Sequence, residues 1–501
     1  MLWDALARAP FATSTRDAIV SDQATLSYAE LFARAEALAA TLAEVGAGPG
    51  HIVLTYLDST PAFLVALLAT ARLGATFAPL DIGVTDAEAA ALLALSRSDL
   101  IVCDPTAGAR CERWSKNLVA VTPRGEVVAA RRGGLGAPSV DPGIGIMQFS
   151  SGTTAASKGI LLGHEALYYR SHYLSRALGL DERDRTLCTL PLSHTHGAEC
   201  LALPTLMTGG TLFLKSPRFA FPLYILEELE RLAITFFSSI PQFYDVAVKL
   251  SPARTPDLSA LRLPFCGSAA LARATAEAFF ARFGVHIRQG YGLAELSVIC
   301  VNMHDDGQVV YDSVGRVLDG IEWRLADGDR AGEGELLVRS KAMFTGYING
   351  PEATAERLRD GWLHTGDVVA VDGDGRFRIV GRKEDFIKVN GFKVYAAEVE
   401  AAIIAVDWVT ECAVVGERDA LGSEALVAHV VVRDDRAPPG ALHDQLVRHL
   451  RPVLSEHKLP RRTVPWHELP KSPLGKILKS QLKTAPSPAP SPSPSPSPSS
   501  K

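Results

Sequence analysis

The chain has 501 residues, 47% of them apolar and 21% charged, enough for two or three domains with sizeable cores. A net charge of -5 excludes a nucleic-acid surface of the usual basic kind. Cys103, Cys111, Cys188, Cys200, Cys266, Cys300 and Cys412 form no C-x-x-C pair, so no zinc site is evident and a reducing compartment is expected.

The N-terminus lacks a basic stretch followed by a long apolar run, so no signal peptide is expected. Ser27 and Glu30 have capping-box spacing. Leu31, Ala35, Leu38, Leu42 and Val45 then recur at helical steps until Gly46. Residues 52–57 read as a strand, and Thr60-Pro61 opens a second helix that Gly74 ends. Its most apolar run, 63–71, is too short to span a bilayer, so a cytoplasmic protein with no membrane span is expected. Strands follow near Phe77, at 100–103 and at 144–149. Residues 235–238 look like a buried strand and 271–283 like a helix. This alternation predicts an α/β fold with mainly parallel sheets.

From about Val309 the texture changes to short strands separated by turns such as 326–329 and 372–375, which predicts a β-rich subdomain. The charged turn 381–385 marks a boundary. Beyond it a helix over 396–406, strands near 412–415 and 426–432, and a helix over 442–454 predict a small α+β module. The expected domains are therefore 1–382, 383–484 and a tail, 485–501. The tail is almost pure Pro and Ser, and is expected to be extended or disordered, as a tether or a simple end.

The most informative stretch is Phe149-Ser150-Ser151-Gly152-Thr153-Thr154-Ala155-Ala156-Ser157-Lys158-Gly159. Its hydroxyls, small residues and lysine offer the donors and charge that a polyphosphate needs. A Ser/Thr-rich surface turn is the plain alternative. A Walker loop is excluded by Gly159, which stands where that motif needs Ser or Thr after a Gly-Lys pair. A second segment, Gln289-Gly290-Tyr291-Gly292-Leu293-Ala294-Glu295, follows a short strand expected to end near Ile287. There Gly290 and Gly292 would admit a ligand, Tyr291 offers a stacking face, and Glu295 offers a hard oxygen for magnesium. Asp367 lies in a Thr-Gly-Asp run, Arg382 opens the charged turn, and Lys476 sits in a Gly-Lys-Ile run before the tail.

In this order these segments resemble the adenylate-forming superfamily, over about residues 10–483. That group includes acyl- and aryl-CoA synthetases, firefly luciferase and the adenylation domains of peptide synthetases. The resemblance implies that Ser150, Ser151, Gly152, Thr153, Thr154 and Lys158 hold the phosphates of ATP. It implies that Gly267, Ser268 and Ala269 form the adenine-side loop and that Gly290, Tyr291 and Gly292 lie against the base. Glu295 would bind Mg2+, Asp367 and Arg382 would hold the ribose, and Lys476 would reach the carboxylate and the α-phosphate. His194 would flank the acyl pocket with Gly267. Glu384 falls at the hinge position and Gly391 at the thiol channel. His194 and its neighbour His196 read equally well as packing residues, and the run around Glu384 as a plain exposed turn.

The implied activity is that of an AMP-forming acid–thiol ligase. It activates a fatty or aromatic carboxylic acid as an acyl-adenylate with release of pyrophosphate, then passes the acyl group to coenzyme A. A rotating C-terminal domain exchanges the groups needed by the two steps. The phosphopantetheine of a carrier protein is the alternative acceptor, and an inactive nucleotide-binding paralogue or a luciferase-like oxygenase is more remote. Departures from the family pattern are Ala155 for glycine, Ser157 for proline, Ala294 for threonine, Ser193 for an aromatic residue and Ala396 for proline. Residues 193–194 also lack the aspartate that grips an α-amino group in peptide synthetases, so an acid without that ammonium is expected.

Overall fold

The computed structural model describes residues 2–149, 158–216, 221–250, 254–303, 309–326, 332–383, 386–389, 392–418, 424–433, 442–471 and 477–482. The chain divides into two compact units. The first comprises Met1–Thr365 and Val369–Ile379, and the second Gly366–Val368 and Val380–Lys501.

The first unit begins with local signals that fold as expected. Ser27 caps the helix Tyr28–Val45 in a reciprocal box with Glu30, and Gly46 ends it at φ 104, a left-handed conformation that glycine adopts without a Cβ clash. Pro61 occupies the first turn of the helix Pro61–Leu73, whose residues 61–70 are all buried. An element apolar on every side belongs inside a core, and this one is packed there. No described helix is long and apolar enough to cross a membrane.

Two large sheets organise this unit. Among the described residues, one sheet has the order Gly346–Tyr347, Gly159–Gly163, Ile144–Phe149, Thr76–Pro79, Ile52–Tyr56, Leu100–Cys103, Asn117–Val121 and Val127–Arg131. Its central strands are parallel, and Gly159–Gly163 runs antiparallel to Ile144–Phe149. The hydroxyl stretch thus connects two adjacent antiparallel strands. A second sheet runs Arg316–Val317, Ser297–Val301, Arg288–Leu293, Leu263–Cys266, Phe236–Ser239, Arg185–Cys188, Thr211–Leu214, Asp17–Ser21 and Thr25–Ser27. The parallel strands Phe236–Ser239 and Leu263–Cys266 are buried at every position, as strands covered on both faces are.

One expectation is corrected. The segment 289–293 does not follow a strand ending near Ile287. It is itself the strand Arg288–Leu293, parallel to Leu263–Cys266 on one side and antiparallel to Ser297–Val301 on the other. Two glycines and a leading Gln weaken a strand signal, and strand pairing on both edges overrides that local preference.

In the second unit, Val409–Arg418 pairs antiparallel with Glu424–Val432, which pairs in parallel with Arg462–Trp466. The helix Ala396–Ile404 buries Ala396, Val399 and Ile403. The helix Leu442–Leu450 buries Leu442, Leu446 and Leu450, one stripe at helical spacing. A hairpin, Phe386–Val389 with Phe392–Tyr395, completes this core.

Candidate active site

The strand Leu263–Cys266 delivers Gly267 and Ser268 at its C-terminal end. Gly267 donates its N–H to the Ser239 carbonyl at 3.2 Å. Ser268 takes φ 69, an uncommon conformation for a residue with a side chain. His196 stands against this loop. A Cβ placed on Gly267 would lie 3.4 Å from its Cε1 and 3.9 Å from the Gly290 carbonyl oxygen. His196 bridges two hydroxyls, Nε2 to Ser238 Oγ at 2.7 Å and Nδ1 to Ser268 Oγ at 3.0 Å. Burial holds its imidazole down at about 4, so the ring is neutral near pH 7.

His194 is placed differently. Its Nε2 lies 3.6 Å from Asp81 Oδ2, and the Ser193 hydroxyl donates to the same oxygen at 3.2 Å. Burial lowers the His194 imidazole below its ordinary value, and the Asp81 carboxylate acts in the other direction. The ring set against Gly267 is therefore that of His196. A carboxylate from a distant loop, that of Asp81, therefore faces both residues 193 and 194.

Behind this turn lies a buried polar chain. The Arg170 guanidinium donates from Nη1 to Glu199 Oε2 at 3.0 Å, with both side chains fully buried. Gln148 Nε2 donates to Glu199 Oε1, and Thr195 Oγ1 donates to Gln148 Oε1 at 3.1 Å. Gln148 is next to last in the strand Ile144–Phe149 that leads into the hydroxyl stretch, and Thr195 separates the two histidines. Glu199 sits in the π-helical turn Ala198–Ala202, a rare geometry that recurs at functional sites.

Gly290 and Gly292 have internal packing reasons. A Cβ at Gly290 would stand 2.3 Å from Phe265 Cζ, and one at Gly292 would stand 2.0 Å from the Ser297 carbonyl oxygen. Tyr291 between them is half-buried and pairs with Cys300. Glu295 follows, half-buried. Its Oε1 accepts from the Tyr347 hydroxyl at 2.5 Å, and its carbonyl accepts from the Phe344 N–H at 2.7 Å. Lys158 Nζ lies 5.1 Å from the centre of the Tyr347 ring. Tyr347 thus joins the lysine of the hydroxyl stretch to the carboxylate of the glycine-rich strand.

In the second unit, Arg382 Nε pairs with Asp367 Oδ1 at 2.7 Å. Asp367 is nearly buried and Arg382 half-exposed. The Lys383 N–H donates to the Gly366 carbonyl at 2.7 Å, which closes the link.

The profile of the AMP-binding enzyme family matches residues 6–348. That of the AMP-binding enzyme C-terminal domain matches residues 398–476. The chain belongs to the AMP-binding enzyme family. Within it the chain is of the adenylate-forming, acyl- or aryl-CoA synthetase-like type. It is 32% identical over 469 residues to a feruloyl-CoA synthase of Amycolatopsis sp, covering 91% of this chain and 93% of that one. It is 30% identical to 4-coumarate–CoA ligase 5 of Oryza sativa subsp. japonica, covering 92% of this chain and 89% of that one. Among solved structures, ATP-bound MatB from Rhodopseudomonas palustris superposes with a TM-score of 0.84 at 28% identity, covering 96% of this chain and 98% of that one.

For this AMP-binding enzyme, the donor set can be tested against magnesium. No cluster of three metal-ligating side chains occurs among the described residues. Glu295 is a single accessible carboxylate, held by a neutral phenol rather than by a described cation. One carboxylate plus substrate phosphates is the way Mg2+ is commonly held beside a nucleotide, so the residues fit. Ser150, Ser151, Gly152, Thr153, Thr154, Glu384, Gly391 and Lys476 lie outside the described residues, as do Ala155, Ser157 and the Pro/Ser tail. Asp81, Arg170, Glu199 and Tyr347 were not singled out by sequence reasoning. Only Glu199 carried a local signal, as the one charged residue between Gly197 and Met207.

Proposed function

We propose that this enzyme is an ATP-dependent, AMP-forming ligase that activates a carboxylic acid and transfers the acyl group to the thiol of coenzyme A. The observation that carries the reading is Glu295. It is a carboxylate without a described cationic partner, joined through Tyr347 to Lys158, in a chain whose relatives are CoA ligases along nearly their whole length. In this reading Lys158 and the hydroxyls at 150–154 hold the β- and γ-phosphates, Tyr291 lies against the adenine, and the Asp367–Arg382 pair receives the ribose. Gly267, Ser268 and Ala269 border the base. Magnesium, when bound at Glu295, neutralises charge on the polyphosphate. Lys476 brings positive charge to the acid's carboxylate and to the α-phosphate, where like charges otherwise repel. Glu384 serves as the hinge and Gly391 borders the thiol's path.

His194 and His196 contribute differently to the acid site. His196 is a neutral, doubly hydrogen-bonded wall beside Gly267, so it adds shape and polarity without charge. His194 carries the Asp81 carboxylate behind it. The similarity to feruloyl-CoA and 4-coumarate ligases favours an aromatic acid over a long aliphatic one. The Pro/Ser tail supports a second reading, in which the acceptor is the phosphopantetheine of a carrier domain.

Release of AMP and pyrophosphate should be measured over a panel of aromatic and aliphatic acids, with and without coenzyme A. The expected result is acid-dependent AMP formation and an acyl-CoA product with at least one aromatic member. Silence across the panel would reject the ligase reading. Loading of a holo-carrier without free acyl-CoA would move the acceptor to the second reading.

A further inference from the structure

We infer that Tyr347 is a positioning residue that aims the Glu295 carboxylate at a polyphosphate-bound metal and the Lys158 ammonium at the polyphosphate itself. The inference rests on the proposed phosphate-side roles of those two residues and adds the group that couples them.

The chain places Tyr347 tightly. Gly346 and Tyr347 pair antiparallel with Leu161 and Ile160, directly after Lys158. The Ile348 N–H donates to the Gly159 carbonyl at 2.9 Å, and the Thr345 N–H donates to the Leu161 carbonyl at 2.8 Å. The approach is so close that a Cβ on Gly159 would stand 2.6 Å from Ile348 Cγ2. This gives a packing reason for the glycine that separates the stretch from a Walker loop. On the other side, the Tyr347 N–H donates to Thr354 Oγ1 at 2.9 Å, and its ring meets Phe344 edge-on at 5.0 Å. Phe344 in turn donates to the Glu295 carbonyl. Backbone and side chain of Glu295 are therefore both held by the 344–347 segment. Tyr347 as a whole is 8% exposed.

The chemistry of the contact matters as much as its geometry. A guanidinium on Glu295 would orient it and also neutralise it. A phenol orients the carboxylate and leaves its full charge for a cation. Meanwhile the ring face supports Lys158 without taking its charge. One side chain thus orders an anion and a cation that come from sequence positions 137 residues apart (295 minus 158).

The test uses the full chain, with Mn2+ as the metal probe and a non-hydrolysable ATP analogue. Mn2+ affinity is read by electron paramagnetic resonance at saturating analogue. Tyr347→Phe keeps the ring and loses the hydroxyl. It is expected to weaken Mn2+ about tenfold, with analogue affinity in the absence of metal unchanged. Tyr347→Leu loses the ring face too, and is expected to weaken the metal-free analogue as well. In turnover, KM for ATP should rise in Tyr347→Phe while KM for the acid stays at the parent value. Parent-like Mn2+ affinity in Tyr347→Phe would overturn the inference. So would an equal loss for metal, nucleotide and acid with a lowered ligand-free melting temperature, the signature of a merely structural ring. A parent that binds Mn2+ and analogue yet forms no AMP with any acid would defeat the ligase reading alone.

Discussion

Two polar clusters of the first unit treat charge in opposite ways. In the Arg170–Glu199–Gln148–Thr195 chain, the carboxylate is buried and fully engaged by protein donors. In the Lys158–Tyr347–Glu295 cluster, a half-buried carboxylate is oriented by a neutral hydroxyl that leaves it its charge, and the same ring packs against an ammonium. The first arrangement holds a shape, because a buried pair has little to offer a ligand. The second is suited to bind. Charge that the protein itself satisfies belongs to the scaffold, and charge that it orients but does not satisfy belongs to the site.

The largest expected effect breaks the scaffold side. Glu199→Ala strands the Arg170 guanidinium, whose Nη2 is already buried without a partner. The expected loss is about 3–5 kcal/mol of stability in urea denaturation. Replacing both residues, Arg170→Met with Glu199→Leu, should be less harmful than Glu199→Ala alone, because no uncompensated charge remains. A double variant as unstable as the sum of the singles would show that the pair is not a closed unit.

The site side should respond the other way. Glu295→Gln keeps an acceptor for the Tyr347 hydroxyl and removes the charge. Acid-dependent kcat/KM is expected to fall about a hundredfold, or about 2.7 kcal/mol. Stability should change by no more than about 0.5 kcal/mol. A large stability loss with intact turnover would place Glu295 on the scaffold side and erase the contrast.

Much of the fold is readable from local pattern, and the contrast between clusters is not. The capping box at Ser27, the N-terminal proline at Pro61 and the apolar run 144–149 each encode their own element. The candidate residues Lys158, Tyr291, Glu295, Asp367 and Arg382 stand out by residue type and order. Partnership is a property of topology. Asp81 meets His194 across 113 positions, and Tyr347 meets Glu295 across 52, because separate strands end near one another. No window of sequence carries that information. The strand at 288–293 was obscured for a related reason, since its glycines answer to Phe265 and Ser297 rather than to local strand preference.

His196 lies between the two regimes and gives the smallest expected effect. Its ring is held by two hydroxyls and carries no charge near neutral pH. Its folded value of about 4 lies below the ordinary 6.5, so between those values the unfolded chain binds the proton more readily. Stability from this residue is therefore complete above pH 6.5 and is lost as pH falls toward 4. Allowing for the ring's partial access to water, the loss should be about 1–2 kcal/mol. His196→Asn cannot titrate, so the difference between parent and variant in urea midpoints should shrink steadily over that range. A difference that stays flat with pH would mean that the folded ring takes up its proton as readily as the unfolded chain does, so that burial does not hold it down.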